Sequence, residues 1–317
     1  MSKFSVRVKW QVLRTRLYLE RLEVKAFILP AFVLLLSIAA TAIYYNAFRF
    51  ENLWANWMVA TGNAFEYCEL NRMDQLIRQP SNTWSNLAYF VVGLFALTIG
   101  VHDLKYADRK QSHNFLVRYP IFSLLFGLSA LYVFVGSFLF HASLTRTFQH
   151  LDQAGLYSVI VMVLTFNLYK IFPVMRIKGQ YKSSHAVMIA FALGFNYLIF
   201  TRLWLIDINV LFPVLIAITF VSSLFYLLFV SKTHYYTQYL WAAFIVLLLA
   251  AIIWILDRTN IACNPTSALQ GHALWHVFTA ISMLLIYLYY RTGAVPVEEM
   301  ISFREEKREM RRLRRGR

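Results

Sequence analysis

Residues 119–141 read YPIFSLLFGLSALYVFVGSFLFH, a run that contains no Lys, Arg, Asp or Glu. The hydrocarbon core of a bilayer is about 30 Å thick, and a helix of about 20 apolar residues crosses it. Lipid offers no hydrogen-bond partner to exposed backbone groups, so a run of this kind is expected to cross as a helix. The run ends in His141, and an ionisable residue at the edge of a span is a functional candidate.

Seven other runs of the chain have a similar length and character. The expected spans cover residues 25–47, 84–101, 119–141, 153–172, 185–206, 209–230, 239–257 and 272–290. Hydrophobic residues make up 59% of the chain and charged residues 15%, which is too few charges for a soluble domain. The sequence therefore predicts an all-α fold, a multi-pass transmembrane helical bundle.

The 31 Lys and Arg residues are concentrated at the two ends of the chain and in alternate segments between the spans. Basic residues that flank spans stay on the cytoplasmic side. We therefore expect both termini in the cytoplasm, with residues 1–24 and 291–317 as basic cytoplasmic segments. The net charge of +15 is then an orientation signal, and no nucleic-acid partner is expected.

His272 and His276 lie four residues apart at the start of the last predicted span. This spacing places both imidazoles on one face of a helix, where they can bind one metal ion. Two helical histidines can equally form hydrogen bonds inside a polar bundle core. The pair alone leaves these two interpretations open.

A second cluster is expected on the same, outer or lumenal side of the membrane. Ser137 and His141 end the third span four residues apart, and Asp152 opens the fourth span after a short loop. Three histidines with an open fourth position are a usual form of catalytic zinc. His150 competes with His141 for the third ligand place, although its loop position favours a surface histidine.

Several of these residues also have a purely structural interpretation. Asp152 can act as a catalytic base or cap the fourth span. Ser137 can support the metal or bond back to a carbonyl of its own helix. Asp207, Asp257 and Arg258, at outer span ends, are expected to be interfacial, although Asp257 and Arg258 could pair near the site. Cys68 and Cys263 can form a disulfide in an oxidising outer compartment, or remain two buried thiols.

A third polar cluster precedes the second span. It reads EYCELN from Glu66 to Asn71 and continues as PSNTWSN over residues 80–86. Carboxylate and amide oxygens on an outer loop are ligands that Ca²⁺ accepts, but a solvated acidic loop has the same composition. Four residues of the second stretch can cap the following helix: Asn82, Thr83, Ser85 and Asn86.

Taken in order, these motifs resemble the alkaline ceramidase family, part of a wider group of seven-helix membrane hydrolases that includes the adiponectin receptors. The matching stretches are Tyr67 to Asn71, Asn82 to Asn86, Gly136-Ser137 with Phe140-His141, Gln149 to Asp152, and His272 to His276. The resemblance spans about residues 66–290. It implies a seven-helix ceramidase-like core, residues 48–290, to which residues 25–47 add one extra N-terminal transmembrane helix.

The resemblance also implies a set of functional residues. It assigns Zn²⁺ to His141, His272 and His276, and catalytic roles to Ser137 and Asp152. It further implies a Ca²⁺ site, whose ligands here would be Glu66, the Tyr67 backbone, Glu69 and Asn71. It also implies a disulfide, which here would join Cys68 to Cys263.

Two departures from the family pattern bear on the calcium site. Glu66-Tyr67 stands where the family has Asp-Trp, and Gln79 stands where the family supplies a further Glu. One carboxylate is therefore missing, which weakens the case for Ca²⁺ and leaves the zinc ligands unaffected.

The expected activity is zinc-dependent hydrolysis of the amide bond of a ceramide-like lipid, which releases a fatty acid and a sphingoid-type amine. The substrate would come from the lipid bilayer itself. The alternative is a receptor-like membrane protein with a mainly structural zinc site. A transporter is a third class, which inverted repeats and broken helices would favour, and the sequence displays neither.

Overall fold

A computed structural model describes residues 24–60, 67–107, 112, 114–177, 180–202, 205–230, 236–261 and 263–294. Residues 1–23 and 295–317, which make up most of the two basic terminal segments, and Glu66, a predicted calcium ligand, lie outside the described residues.

This part of the chain is almost wholly helical. Its helices are α1 Ile28–Phe48, α2 Pro80–Ser85, α3 Leu87–Tyr106, α4 Phe115–Arg118, α5 Ile121–Ser143, α6 Arg146–Ile171, α7 His185–Thr201, α8 Ile208–Phe225, α9 Thr237–Arg258 and α10 Gly271–Arg291. A 3-10 turn over Val24–Phe27 precedes α1, and a π turn over Tyr226–Val230 extends α8. A small antiparallel hairpin, β1 Val174–Ile177 and β2 Gln180–Ser183, links α6 to α7.

Seven of the eight predicted spans correspond to long apolar helical segments, which confirms the all-α multi-pass bundle. Within the described residues, seven helices are long and apolar enough to cross a membrane. The exception is α7, because it stops at Thr201 and has 17 residues. The predicted span 185–206 was therefore wrong at its end, since the helix ends before the charged Arg202. The second span begins earlier than expected, because α2 and α3 together cover Pro80–Tyr106.

The first helix is peripheral. None of the side chains of α1 is buried, and the turn that leads into it rests on α3 through a stacked pair, Phe27 and Phe95, with ring centroids 5.9 Å apart. In contrast, α6 is the most enclosed of the apolar helices and packs against α5, α7 and α8. A helix that is apolar all round and unburied within its own chain is suited to contact with lipid.

We call the end of the bundle where α5 stops and α10 starts the histidine end. At the opposite end, Arg291 and Asp103 form a buried ion pair that joins α10 to α3. Lys170 lies nearby, 1% exposed, with its Nζ 4.3 Å from the ring centroids of Tyr289 and Tyr290. Cations over aromatic faces and paired with carboxylates are stabilised inside the protein.

Candidate metal centre

Three imidazoles converge at the histidine end. His141, His272 and His276 are 0%, 4% and 3% exposed, and their candidate ligand nitrogens all lie within 4.8 Å of one another. The Nε2 atoms of His141 and His272 are 3.2 Å apart. Two nitrogen ligands of a tetrahedral zinc are separated by roughly 3.3 Å when each Zn–N bond is about 2.0–2.1 Å. These three residues can therefore hold one metal ion.

The start of α10, which carries two of these histidines, is held by a carboxylate from the neighbouring helix. The Asp257 side chain accepts hydrogen bonds from the backbone N–H groups of Gly271 and His272. It also accepts one from the N–H of Cys68, at 3.2 Å. A carboxylate suits a helix N-terminus, where N–H groups lack intrahelical partners. Asp257 is 5% exposed, so at the end of its span it is buried against the start of α10.

Two of the histidines have their outer ring nitrogen engaged by α2 and the residue before it. The Gln79 Oε1 atom accepts a hydrogen bond from His141 Nδ1 at 2.6 Å, and Ser85 Oγ lies 2.8 Å from His276 Nδ1. Such partners fix the orientation of an imidazole and leave Nε2 to bind a metal. The sequence analysis treated Ser85 as a helix cap and Gln79 as a calcium position, so it missed both contacts.

The third histidine is held differently. The ring of His272 stacks on Tyr67, with centroids 3.8 Å apart and planes inclined by 25°. Its Nδ1 atom is buried and has no hydrogen-bond partner among the residues that the structure describes. Its Nε2 faces His141, so the nitrogen on the cluster side is the one available to a metal.

Backbone pairing brings Gln79 to His141. The Gln79 N–H donates to the His141 carbonyl at 3.1 Å, and the Arg78 N–H donates to the Ala142 carbonyl at 3.0 Å. The Arg78 guanidinium also donates to the carbonyl of Ser143. The last carbonyls of a helix have no intrahelical donors. The segment before α2 therefore supplies hydrogen-bond donors to the last carbonyls of α5. These hydrogen bonds place Gln79 beside the candidate metal centre.

The two predicted catalytic residues are adjacent. Ser137 is in hydrogen-bond contact with the carboxylate of Asp152. This contact depends on Gly136, because a Cβ there would lie 2.5 Å from the backbone oxygen of Leu151. Leu144, in a left-handed conformation with φ of 47°, reverses the chain between the two helices. The close approach of α5 and α6 thus places the carboxylate one helical turn from His141.

Tyr89, on α3, lies next to one of the three histidines. Its ring is edge-on to His276, with centroids 5.9 Å apart. The Tyr89 hydroxyl is hydrogen-bonded to Thr279, on α10. His150, the rival third ligand, does not belong to the cluster. The structure thus groups the three imidazoles, leaves His150 outside that group, and places Asp152 beside Ser137.

The proposed calcium ligands are engaged with protein groups. The buried carboxylate of Glu69 accepts the N–H groups of Ser81 and Asn82, each at 2.8 Å, and lies 3.7 Å from Arg72. Burial raises the pKa of this carboxyl, while the two N–H groups and Arg72 oppose the rise. Asn71 accepts from Gln79 at 2.6 Å. The calcium site stays a prediction, and these described donors do not favour it.

A disulfide joins Cys68 to Cys263. It is the expected bridge, and it excludes the alternative of two free thiols. The bond ties the loop before α2 to the connection between α9 and α10. Together with the contact from Cys68 to Asp257, it fixes that loop against the start of the histidine-bearing helix.

An apolar cavity lies close to the histidines. It is partly open, and its lining comes from α6, α8, α9 and α10, together with Tyr89 of α3 and Val133 of α5. Tyr89, Trp275 and Thr279 line it near the metal centre, and Ile286 lines it farther along α10. From Trp275 to Ile286 a helix advances by roughly 16 Å. The cavity therefore has the length and apolar lining that a hydrocarbon chain requires.

A helical membrane bundle with three buried histidines that could hold a metal ion, close to an apolar cavity, has the features of an intramembrane protein that handles lipids. Comparison with protein families gives the next step: the Ceramidase family model matches residues 59–305. The chain belongs to the ceramidase family, and the match leaves α1 outside. No individual curated protein matches it. Membership implies an amidase-type hydrolase with a lipid substrate, as the sequence motifs predicted.

Proposed function

We propose that this protein is a zinc-dependent intramembrane hydrolase that cleaves the amide bond of a ceramide-like lipid to a fatty acid and a sphingoid-type amine. The observation that carries the proposal is the convergence of three buried imidazoles, with two Nε2 atoms 3.2 Å apart, beside an apolar cavity. Membership of the ceramidase family supports the choice of an amide as the scissile bond.

The donor set fits zinc. Three neutral imidazoles suit Zn²⁺, and a site with three protein ligands keeps its fourth position open. Among the described residues, no further His, Cys, Asp or Glu joins the cluster, which favours a catalytic over a closed structural site. Bound there, zinc would polarise the amide carbonyl and lower the pKa of a water molecule.

Asp152 is the proposed general base and acid. Its carboxylate takes a proton from the attacking water and later delivers one to the departing amine nitrogen. The same group thus acts first as general base and then as general acid. The Ser137 hydroxyl, in contact with this carboxylate, holds it in orientation and can donate to the carbonyl oxygen as negative charge develops there. The close packing at Gly136 keeps both groups in place.

The apolar cavity is the proposed binding site for a lipid chain. Its lining side chains come from six helices, and α8 and α9 expose large apolar residues to the surroundings, among them Val214, Ile218, Leu248 and Leu249. A lipid can reach the cavity sideways from the bilayer between these two helices. Its amide would then stop beside Tyr89 and His276, where the cavity meets the metal centre.

We also propose that the histidine end faces the outer or lumenal side and that both termini are cytoplasmic. The Cys68–Cys263 bridge lies at the histidine end, and disulfides persist in oxidising compartments. This agrees with the concentration of Lys and Arg at the chain ends, which is typical of cytoplasmic segments.

Hydrolysis by the purified protein of ceramides with defined chains, compared with ester-linked lipids, tests this function. We expect release of fatty acid and amine from the ceramides, loss of release after chelator treatment, and recovery with zinc. Hydrolysis that survives complete removal of zinc would contradict the proposal. A protein that binds one zinc and cleaves none of these lipids would favour the receptor-like alternative.

A further inference from the structure

Gln79 uses both ends of its side chain at the metal centre. It is 0% exposed. Its Oε1 atom accepts from His141 Nδ1 at 2.6 Å and from Asn82 Nδ2 at 3.3 Å. Its Nε2 atom donates to Asn71 Oδ1 at 2.6 Å. One amide therefore connects the loop before α2 to a candidate metal ligand.

The chemistry of these partners requires an amide at this position. An amide has a donor end and an acceptor end, whereas an ionised carboxylate only accepts. The acceptor end selects the His141 tautomer that carries its proton on Nδ1, which leaves Nε2 free to bind a metal. The donor end meets Asn71, and this contact anchors the Gln79 side chain on the loop.

The polar side chains of the same loop already have partners within the protein. Glu69 is met by two backbone N–H groups and by the guanidinium of Arg72. Asn71 is met by Gln79. A divalent cation would have to displace these donors, because its ligands must present oxygens to it. The N–H of Gln79 occupies a position at Asn71 Oδ1 that a cation would need.

We propose that Gln79 is a positioning residue that fixes the tautomer and orientation of His141 through the chain Asn71–Gln79–His141, and that this link works without calcium. The proposal rests on the proposed function in one respect, namely that the three histidines bind zinc. Partners in this position typically contribute about 10–100-fold to metal affinity.

Measurements of zinc retention distinguish the contribution of the acceptor end of the Gln79 amide from that of its donor end. Gln79→Met keeps the shape and removes all three side-chain hydrogen bonds, and we expect half of the zinc to leave at a chelator concentration about 10–100-fold lower. Gln79→Glu keeps an acceptor for His141 but loses the donor to Asn71, so its zinc retention should lie between that of the wild type and that of Gln79→Met. Gln75→Met is the matched control, since Gln75 lies in the same loop and its side chain makes no hydrogen bond to a described residue.

A merely structural role of Gln79 predicts the reverse order. A buried charge is costly, so Gln79→Glu would then be the worse of the two variants, and zinc retention would follow thermal stability. That order, or zinc retention by Gln79→Met equal to that of the wild type, would overturn the proposal. If Gln79→Met does not fold, Asn71→Ala removes the anchor alone, and a chelator sensitivity unchanged from the wild type would overturn it equally.

Calcium provides the second arm of the experiment. We expect wild-type zinc retention and hydrolysis to be the same in calcium and in a calcium-selective chelator, and a loss in the chelator would contradict the calcium-free link. Failure of the wild type to bind any zinc would refute the proposed function itself. Zinc binding by the wild type with no effect of the Gln79 variants would refute this inference alone.

Discussion

Both ends of this helical bundle bury polar groups, but they satisfy them in different ways. At the opposite end, the charges are met by other protein groups: Asp103 pairs with Arg291, and Lys170 lies against tyrosine rings. At the histidine end, Gln79 and Ser85 occupy the outer nitrogens of two imidazoles. The candidate ligand nitrogens of the three imidazoles lie within 4.8 Å of one another, and among the described residues no Asp, Glu or Cys joins them.

This difference separates a structural polar cluster from a functional one. Buried polar groups cost free energy unless they are paired. The ion pair at the opposite end is complete within the chain, so its role is to join α3 to α10. The inner nitrogens of the three imidazoles, by contrast, all have a partner only when a metal cation lies between them. The predictions below test this contrast, in the order of their expected effect on hydrolysis.

Removal of one imidazole should abolish hydrolysis. His276→Ala leaves two ligands, too few for a stable catalytic zinc site, so we expect zinc content and amide cleavage both to fall to background. His150→Ala, which changes a histidine outside the cluster, should retain both. Zinc measured by mass spectrometry, together with fatty-acid release, checks the pair. Retained cleavage in the zinc-free His276→Ala protein would refute the account of the site.

Removal of the proposed proton carrier should slow hydrolysis and spare the metal. Asp152→Asn keeps the shape of the side chain but cannot accept a proton, and we expect a loss of about 10²–10⁴-fold in the rate of cleavage. Zinc content should be unchanged. Asp74→Asn, at an exposed position, is the control. Full activity of Asp152→Asn would eliminate this carboxylate as the general base.

Loss of the hydroxyl beside His276 should weaken the metal site moderately. Ser85→Ala removes the partner of His276 Nδ1, and we expect zinc affinity to fall by about 10-fold. Ser37→Ala, where the hydroxyl bonds to its own exposed helix, should have no effect. Competition with a chromogenic chelator measures both variants. Equal affinities would show that Ser85 does not orient the imidazole.

Disruption of the ion pair at the opposite end should affect stability and spare chemistry. Arg291→Met leaves Asp103 buried without its partner, and we expect a loss of about 3–5 kcal/mol in the free energy of unfolding. Hydrolysis per folded molecule and zinc content should not change. The double variant Asp103→Leu with Arg291→Met should recover most of the lost stability, as thermal unfolding in detergent would reveal. A zinc-depleted Arg291→Met protein would contradict the separation of the two ends.

The helices were predictable because the bilayer imposes their length. Each apolar run of about 20 residues indicates one helix, and the structure places a helix at every run. The i, i+4 spacing of His272 and His276 predicted a shared face without any knowledge of the fold. His141 joins them because its helix ends at the end of the bundle where theirs begins. The number of predicted spans between the two helices placed these ends on the same side of the membrane.

The partners of the histidines were not predictable in the same way. Gln79 and His141 are separated by 62 residues in sequence, Ser85 and His276 by 191, and Cys68 and Asp257 by 189. These contacts depend on how one irregular loop folds over the bundle, and no periodic pattern specifies such a loop. The length of α7 was misjudged for a related reason, since hydrophobicity continues past Thr201 although the helix does not.

X-ray absorption at the zinc edge of the purified wild-type protein tests the central claim most directly, because it reports the ligands of the metal. The account predicts about one zinc per chain, with three imidazole nitrogens at about 2.0–2.1 Å and one light, exchangeable ligand. A zinc ion enclosed by four protein ligands would indicate a structural site, and a protein without zinc would contradict the proposed chemistry altogether.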